Sequence, residues 1–309
     1  MASTTMTARR LRALLESSDP IVVLGAVDEV FMYQDRAVVG ELLKGVKFTT
    51  HVFRHADTFG DEAQCLEAVG EFRGPRETRH YADLVYPRLL AASDSPLRDV
   101  EAMAINTGEF LNAFVLLDDL WWLSEFPNLK RVHLFGRNVT SAQLQSLVNV
   151  PVEQIGVASH GAKLTMASHP TVQSIIGHGF GFVDGGQWPE LRSVSLGHHG
   201  SLDAMFDGSP RLTDLRIDTS PTIWITVTSY LQRELVLVRS ASLERATLKG
   251  AHFVQSTPRL VELELDGRVA VSGTPSLQKL RLGKVEWEMH TELERIVAET
   301  GAKVEVIDG

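Results

Sequence analysis

The chain has 309 residues, 44% hydrophobic and 22% charged, with a net charge of −9. One cysteine, Cys65, excludes an intrachain disulfide framework and a thiolate metal cluster, and the acidic balance argues against nucleic acid as the main partner. No apolar run is long enough for a membrane span, and the N-terminus lacks the apolar core of a secretory signal. A lone cysteine suits a reducing compartment, so a cytoplasmic location is expected.

The first 95 residues read as helical. Arg9, Arg10 and Arg12 precede the first acid, Glu16, as in a mitochondrial leader. Leu11, Leu14 and Leu15 make a first amphipathic helix the better reading. In "SSDPIVVLGAVDEVFMY", Ser18 or Asp19 can cap a helix that has Pro20 in its first turn. "DRAVVGELLKGV" predicts a second helix, ending near Gly45. "DEAQCLEAV" offers Asp61 and Gln64 at capping-box spacing, which places Cys65 on a helix as a core or half-buried thiol. "PRETRHYADLVYPRLLAA" predicts a further helix broken at Pro87. The first two helices resemble a HEAT-type pair. These residues, 1–95, are expected to form a helical domain or a cap on the remainder of the chain.

From residue 96 a block recurs, proline-x-leucine-x-x-leucine-x-leucine. "FPNLKRVHL" (Phe126–Leu134), "WPELRSVSL" (Trp188–Leu196), "SPRLTDLRI" (Ser209–Ile217), "TPRLVELEL" (Thr257–Leu265) and "TPSLQKLRL" (Thr274–Leu282) match it closely. "HPTVQSII" carries Gly177 where the last apolar residue belongs, and "SASLERATL" lacks the proline and places Ala246 in the core. "VPVEQIGV" and "SPLRDVEA" have the proline one residue closer. The blocks begin at Leu97, Leu129, Val152, Val172, Leu191, Leu212, Leu243, Leu260 and Leu277, mostly seventeen to twenty-three residues apart. The two longer intervals end at Leu129 and Leu243. In the first, "EFLNAFVLLDDLWWLSE" (109–125) predicts an amphipathic helix. In the second, 219–242, apolar residues alternate at Ile223, Ile225 and Val227, then at Leu235 and Leu237, predicting extended segments. "TELERIVAETGAKVEVIDG" predicts a helix, a stop at Gly301 and a last short strand.

The last two leucines of a block lie two apart and so share one face of a strand. One block cannot bury that face alone; stacked neighbours can. The blocks resemble leucine-rich repeats over roughly residues 96–309. That resemblance implies an α/β fold: a leucine-rich-repeat-type solenoid with a parallel sheet, preceded by the small helical domain. The family's asparagine or cysteine is absent, its places holding Arg137, His199, Ser220, Ala251, Arg268 and Val285. The last blocks are too short for an outer helix, so irregular or extended segments are expected there.

Residues two, four and six after each first leucine point to the opposite face, which a solenoid offers as a continuous binding surface. The columns predict a partner surface at Arg131, His133 and Phe135, continuing through Gln154, Ser174, His178, Ser193 and Ser195. Aromatic and arginine residues are frequent at binding hot spots. Nearer the C-terminus the rows are basic, acidic, basic, which predicts cross-strand pairing of opposite charges. The resulting expectation is a non-enzymatic module that binds another protein, with no cofactor. The alternative is an enzyme or metal-binding protein built on "GHGFGF" and "GHHG", whose His178, His198 and His199 occupy equivalent places and carry imidazoles suited to zinc. "HVFRH", with His51 and His55 four apart, has no third ligand nearby, and the glycines of "GHGFGF" lack the lysine of a phosphate loop.

Overall fold

Residues 7–17, 19–33, 36–43, 46–54, 62–70, 87–106, 119–136, 139–159, 164–178, 180–183, 185–197, 203–218, 236–285 and 290–307 are described by the structure, a computed structural model. They divide into two compact units, one from the first helix to the strand ending at Ser159, the other from Leu164 onward.

The first unit opens with α1 (Ala8–Leu15), α2 (Pro20–Tyr33) and α3 (Arg36–Leu43). Thr7 caps α1 by accepting the Arg10 N–H, and Pro20 stands at the start of α2, where its missing N–H costs nothing. Leu11 and Leu15 of α1 are buried, as are Val23, Ala26, Val27 and Val30 of α2 and Val39 and Leu42 of α3. Arg12 adds a hydrogen bond to the Glu41 carbonyl at 2.9 Å. A helical turn at 87–91 contributes the fully buried Leu89 and Leu90. Its Arg88 reaches Asp28 of α2 at 2.5 Å. Burial pulls the Arg88 guanidinium below its ordinary pKa, and the carboxylates of Asp28 and Asp119 oppose that pull.

Helix does not continue through this region. β1 (Val46–Arg54) and β2 (Glu62–Gly70) form an antiparallel pair in unbroken register. The expected helix around Cys65 is therefore a strand, with Cys65 opposite His51. Val46–Arg54 is rich in β-branched and aromatic residues, and pairing with it overrides the helical propensity of "EAQCLEAV". The rest of "PRETRHYADLVYPRLLAA" before Pro87, and residues 109–118 of the helix expected at 109–125, lie outside the described residues. Residues 121–125 form a 3-10 helix in which Trp122 and Leu123 are buried.

β2 then pairs in parallel with β3 (Ala102–Asn106), β3 with β4 (Arg131–Gly136), and β4 with β5 (Gln154–Ser159). Between β4 and β5 lies α4 (Ser141–Ser146), opened by a capping box in which Thr140 and Gln143 satisfy each other's backbone N–H.

In the second unit the main sheet runs β7 (Ser174–His178), β9 (Ser193–Gly197), β10 (Asp214–Asp218), β12 (Arg245–Gln255), β13 (Glu262–Ser272), β14 (Lys279–Val285) and β15 (Lys303–Val306), all parallel. β6 (Leu164–Met166) and β8 (Phe180–Phe182) make a small parallel sheet of their own. Two helices, α5 (Asp203–Gly208) and α6 (His290–Thr300), lie between main-sheet strands. Gly301 ends α6 with φ 68°, and the final strand comes after it as the sequence predicts. The described chain is thus mixed α/β and dominated by parallel strands.

The shortest blocks return as strand rather than helix. β12 and β13 pair over eleven residues, and β11 (Val236–Val238) joins the far half of β12. Each long strand bends at an equivalent glycine, Gly250 (φ 109°) and Gly267 (φ 119°). A Cβ on Gly267 would lie 2.6 Å from the Gly250 carbonyl oxygen, so the corner excludes side chains sterically as well as conformationally. Of the alternating segment at 219–242, Leu237 lies in β11; Ile223, Ile225, Val227 and Leu235 are outside the described residues.

Candidate partner-binding face

Each strand is aimed by the turn before it. In the proline blocks the fourth residue's N–H bonds to the carbonyl of the first: Leu129 to Phe126, Leu191 to Trp188, Leu212 to Ser209, Leu260 to Thr257 and Leu277 to Thr274, at 3.1–3.3 Å. Proline occupies the second place, where its fixed φ suits a type I turn and its lack of N–H is harmless. The first residue of each turn is buried, and so is the leucine that closes it. In "HPTV" the imidazole of His169 takes over, its Nδ1 accepting the Thr171 N–H at 3.3 Å.

One residue past that leucine, a carbonyl accepts two successive N–H groups from the next block. In the second unit Arg192 serves Thr213 and Asp214, Thr213 serves Glu244 and Arg245, Glu244 serves Val261 and Glu262, and Val261 serves Gln278 and Lys279. In the first unit Glu101 serves Lys130 and Arg131. This fixes the earliest block. Its leading apolar residue is Val100, not Leu97, which is 40% exposed. Pro96, directly before Leu97, disguised the phase: it lies four residues before Val100, where the closely matching blocks place proline two before.

The register carries the leucine column straight through the second unit: Ile175, Val194, Leu215, Ala246, Leu263 and Leu280 stand side by side. All are buried. On the opposite face the first row is Ser174, Ser193, Asp214, Arg245, Glu262, Lys279 and Lys303, and the second is Ile176, Ser195, Arg216, Thr247, Glu264, Arg281 and Glu305.

Ser174, Ser193 and Ser195 are half-buried. Ser193 donates to Ser174 at 2.9 Å, and the Ser195 hydroxyl is buried without a hydrogen-bond partner among the described residues. His178 ends β7 opposite Gly197. His198 and His199 lie outside the described residues, as does His55. Among the described residues no group of three or more His, Cys, Asp or Glu is placed to hold a metal ion, and no helix is long and apolar enough to cross a membrane.

Toward the C-terminus the charges pair across strands. Arg245 grips Asp214 through Nε and Nη2, which raises the Arg245 pKa. Arg281 lies 3.7 Å from Glu264 and 3.2 Å from Glu305, and Lys279 lies 3.2 Å from Glu305. The hydrogen bonds from Lys279 and Arg281 hold the Glu305 carboxyl below the usual carboxylate range, Lys279 being the stronger influence.

In the first unit the same column behaves differently. His133 is fully buried, so its side chain does not face solvent as the alternation predicts. Gly156 stands opposite it in β5, and an added Cβ there would fall inside the imidazole's van der Waals envelope. Ala102 and Ala104 are buried, and Phe135 packs against them as part of one apolar cluster. Arg131 is half-buried with Glu101 at 3.9 Å, and Gln154 is half-buried beside it in register. Sequence reasoning missed this second apolar layer. The available signal was side-chain size: alanine, alanine and glycine at outward positions of β3 and β5 leave room for the larger His133 and Phe135 of β4 between them.

No family model, curated protein or solved structure matches this chain.

Proposed function

We propose that the chain is a non-enzymatic protein-interaction module. In this reading it is a leucine-rich-repeat-type solenoid preceded by a helical segment, and it binds another protein through the outward column of the second unit. Ser174, Ser193, Ser195 and His178 form the docking floor, and the charged rows from Asp214 onward select the partner's charge pattern. The observation carrying this reading is the register of β7, β9 and β10, which sets Ser174 beside Ser193, and Ser195 between Ile176 and Arg216, on one face. The half-buried Ser174 and Ser193 hydroxyls can donate and accept hydrogen bonds to a partner's backbone, and their small size lets that backbone come close. Arg131, His133 and Phe135 serve in this reading as framework of the first unit.

Affinity capture from the native cell, comparing wild type with Ser174→Arg/Ser195→Arg, tests it. The expected result is loss of a specific co-purifying protein while the melting curve stays cooperative. A folded double variant that captures the same proteins as wild type removes the assignment of this face.

A further inference from the structure

The last strand of the second unit is built like an inner strand but is an edge among the described residues. β15 continues the register of β14, placing Val304 beside Leu280 and Val306 beside Leu282, both positions of the leucine column. Leu280 is fully buried, yet Val304 is 44% and Val306 74% exposed. Ile307 adds a further exposed apolar side chain. Repeat arrays ordinarily close such an end with polar residues, and a hydrophobic edge strand is a template for further pairing.

The backbone is also poised for it. The Lys303 N–H bonds to the Gln278 carbonyl and the Ile307 N–H to the Leu282 carbonyl. Backbone groups alternate in direction along a strand, so those of Val304 and Val306 point away from β14 toward the open edge.

We infer that β15 pairs with β15 of a second copy of this chain, antiparallel and centred on Val304. Charge selects both the partner and the register. Centring on Val304 sets Lys303 of each copy opposite Glu305 of the other, so two opposite-charge pairs form on one face while valine meets valine on the other. Residues directly opposite in an antiparallel pair share a face, and opposite charges there are favourable. Moving the centre to Glu305 keeps the faces matched but places Glu305 against Glu305, a like-charge contact. Centring on Val304 also makes it a hydrogen-bonded pair, as its outward N–H and carbonyl require. A ladder this short belongs with weak, concentration-dependent contacts rather than obligate dimers.

Sedimentation equilibrium on the full chain over a wide concentration range tests the inference. Wild type is expected to move from monomer to dimer as concentration rises. Val304→Pro removes the outward donor while sparing the bonds of Lys303 and Ile307 to β14, and is expected to leave only monomer. Lys303→Glu and Glu305→Lys are each expected to be monomeric alone and to dimerise when mixed, since each supplies the charge the other lacks. A wild type that stays monomeric, a dimer indifferent to Val304→Pro, a mixture that does not associate, or an open-ended ladder of larger species would each overturn it. Circular dichroism confirms that each variant is folded before it is scored.

Discussion

Strand β4 of the first unit and strand β13 of the second carry the same block, and their outward residues have opposite fates. In β4 the outward His133 is buried, with Gly156 beside it and Phe135 packed against Ala102 and Ala104. In β13 the outward Glu262 is exposed and Glu264 half-buried, with a cation alongside. A repeat motif therefore specifies one buried face and leaves the other to side-chain size and charge. Small apolar neighbours invite a second layer; alternating charges keep the face in water.

The inward column should answer alike in both regions. Leu134→Ala and Leu265→Ala each leave a cavity beneath a fully packed strand, and each is expected to lower unfolding free energy by about 2–5 kcal/mol in chemical denaturation. A much smaller loss at Leu265 would mean that the second unit does not hold a core equal to the first.

The outward column should separate them. Gly156→Ala forces the buried imidazole of His133 aside and is expected to destabilise by about 1–3 kcal/mol, the range for overpacking a filled site. The same change in a His133→Ala background should cost less, giving a coupling visible in a double-mutant cycle. Additive losses would show that His133 and Gly156 do not share one packed layer.

The smallest effect belongs to the charged rows. Glu305 is exposed, and its carboxyl is held below its ordinary range in the folded chain by Lys279 and Arg281. A depressed carboxylate stabilises the fold above its unfolded pKa, and that contribution disappears as pH falls through the folded value. Glu305→Gln is therefore expected to lower the melting temperature slightly at neutral pH and low salt, with the gap closing in acid and in high salt. A gap that persists in acid would point to packing rather than charge.

Much of the strand framework was legible because the leucine spacing, the proline before it and the stop at Gly301 are local signals. Val194, Leu215, Leu263 and Leu280 align as the spacing predicts. The strand at Glu62–Gly70 was not legible, since its local preference is helical and only pairing with Val46–Arg54 decides otherwise. The start of the first block was misplaced for a related reason: Leu97 comes after a proline, but the doubly accepting carbonyl that sets the phase belongs to Glu101, and no side-chain pattern marks it. Of the candidate face, the in-register serines and the alternating charges could be read in advance. The burial of His133 could not, because it depends on what lies across from it rather than on its own strand.

The alternation of charge also bears on how these rungs keep their order. Residues 258–274 span one seventeen-residue unit, and excising them would join Thr257 to Pro275 and recreate the same turn. The leucines would still meet leucines, but Arg245 would now lie against Lys279, where Glu262 had stood between them. Hydrophobic matching alone cannot tell one rung from the next; the signs of the charges can, and they penalise a chain that skips a rung while folding.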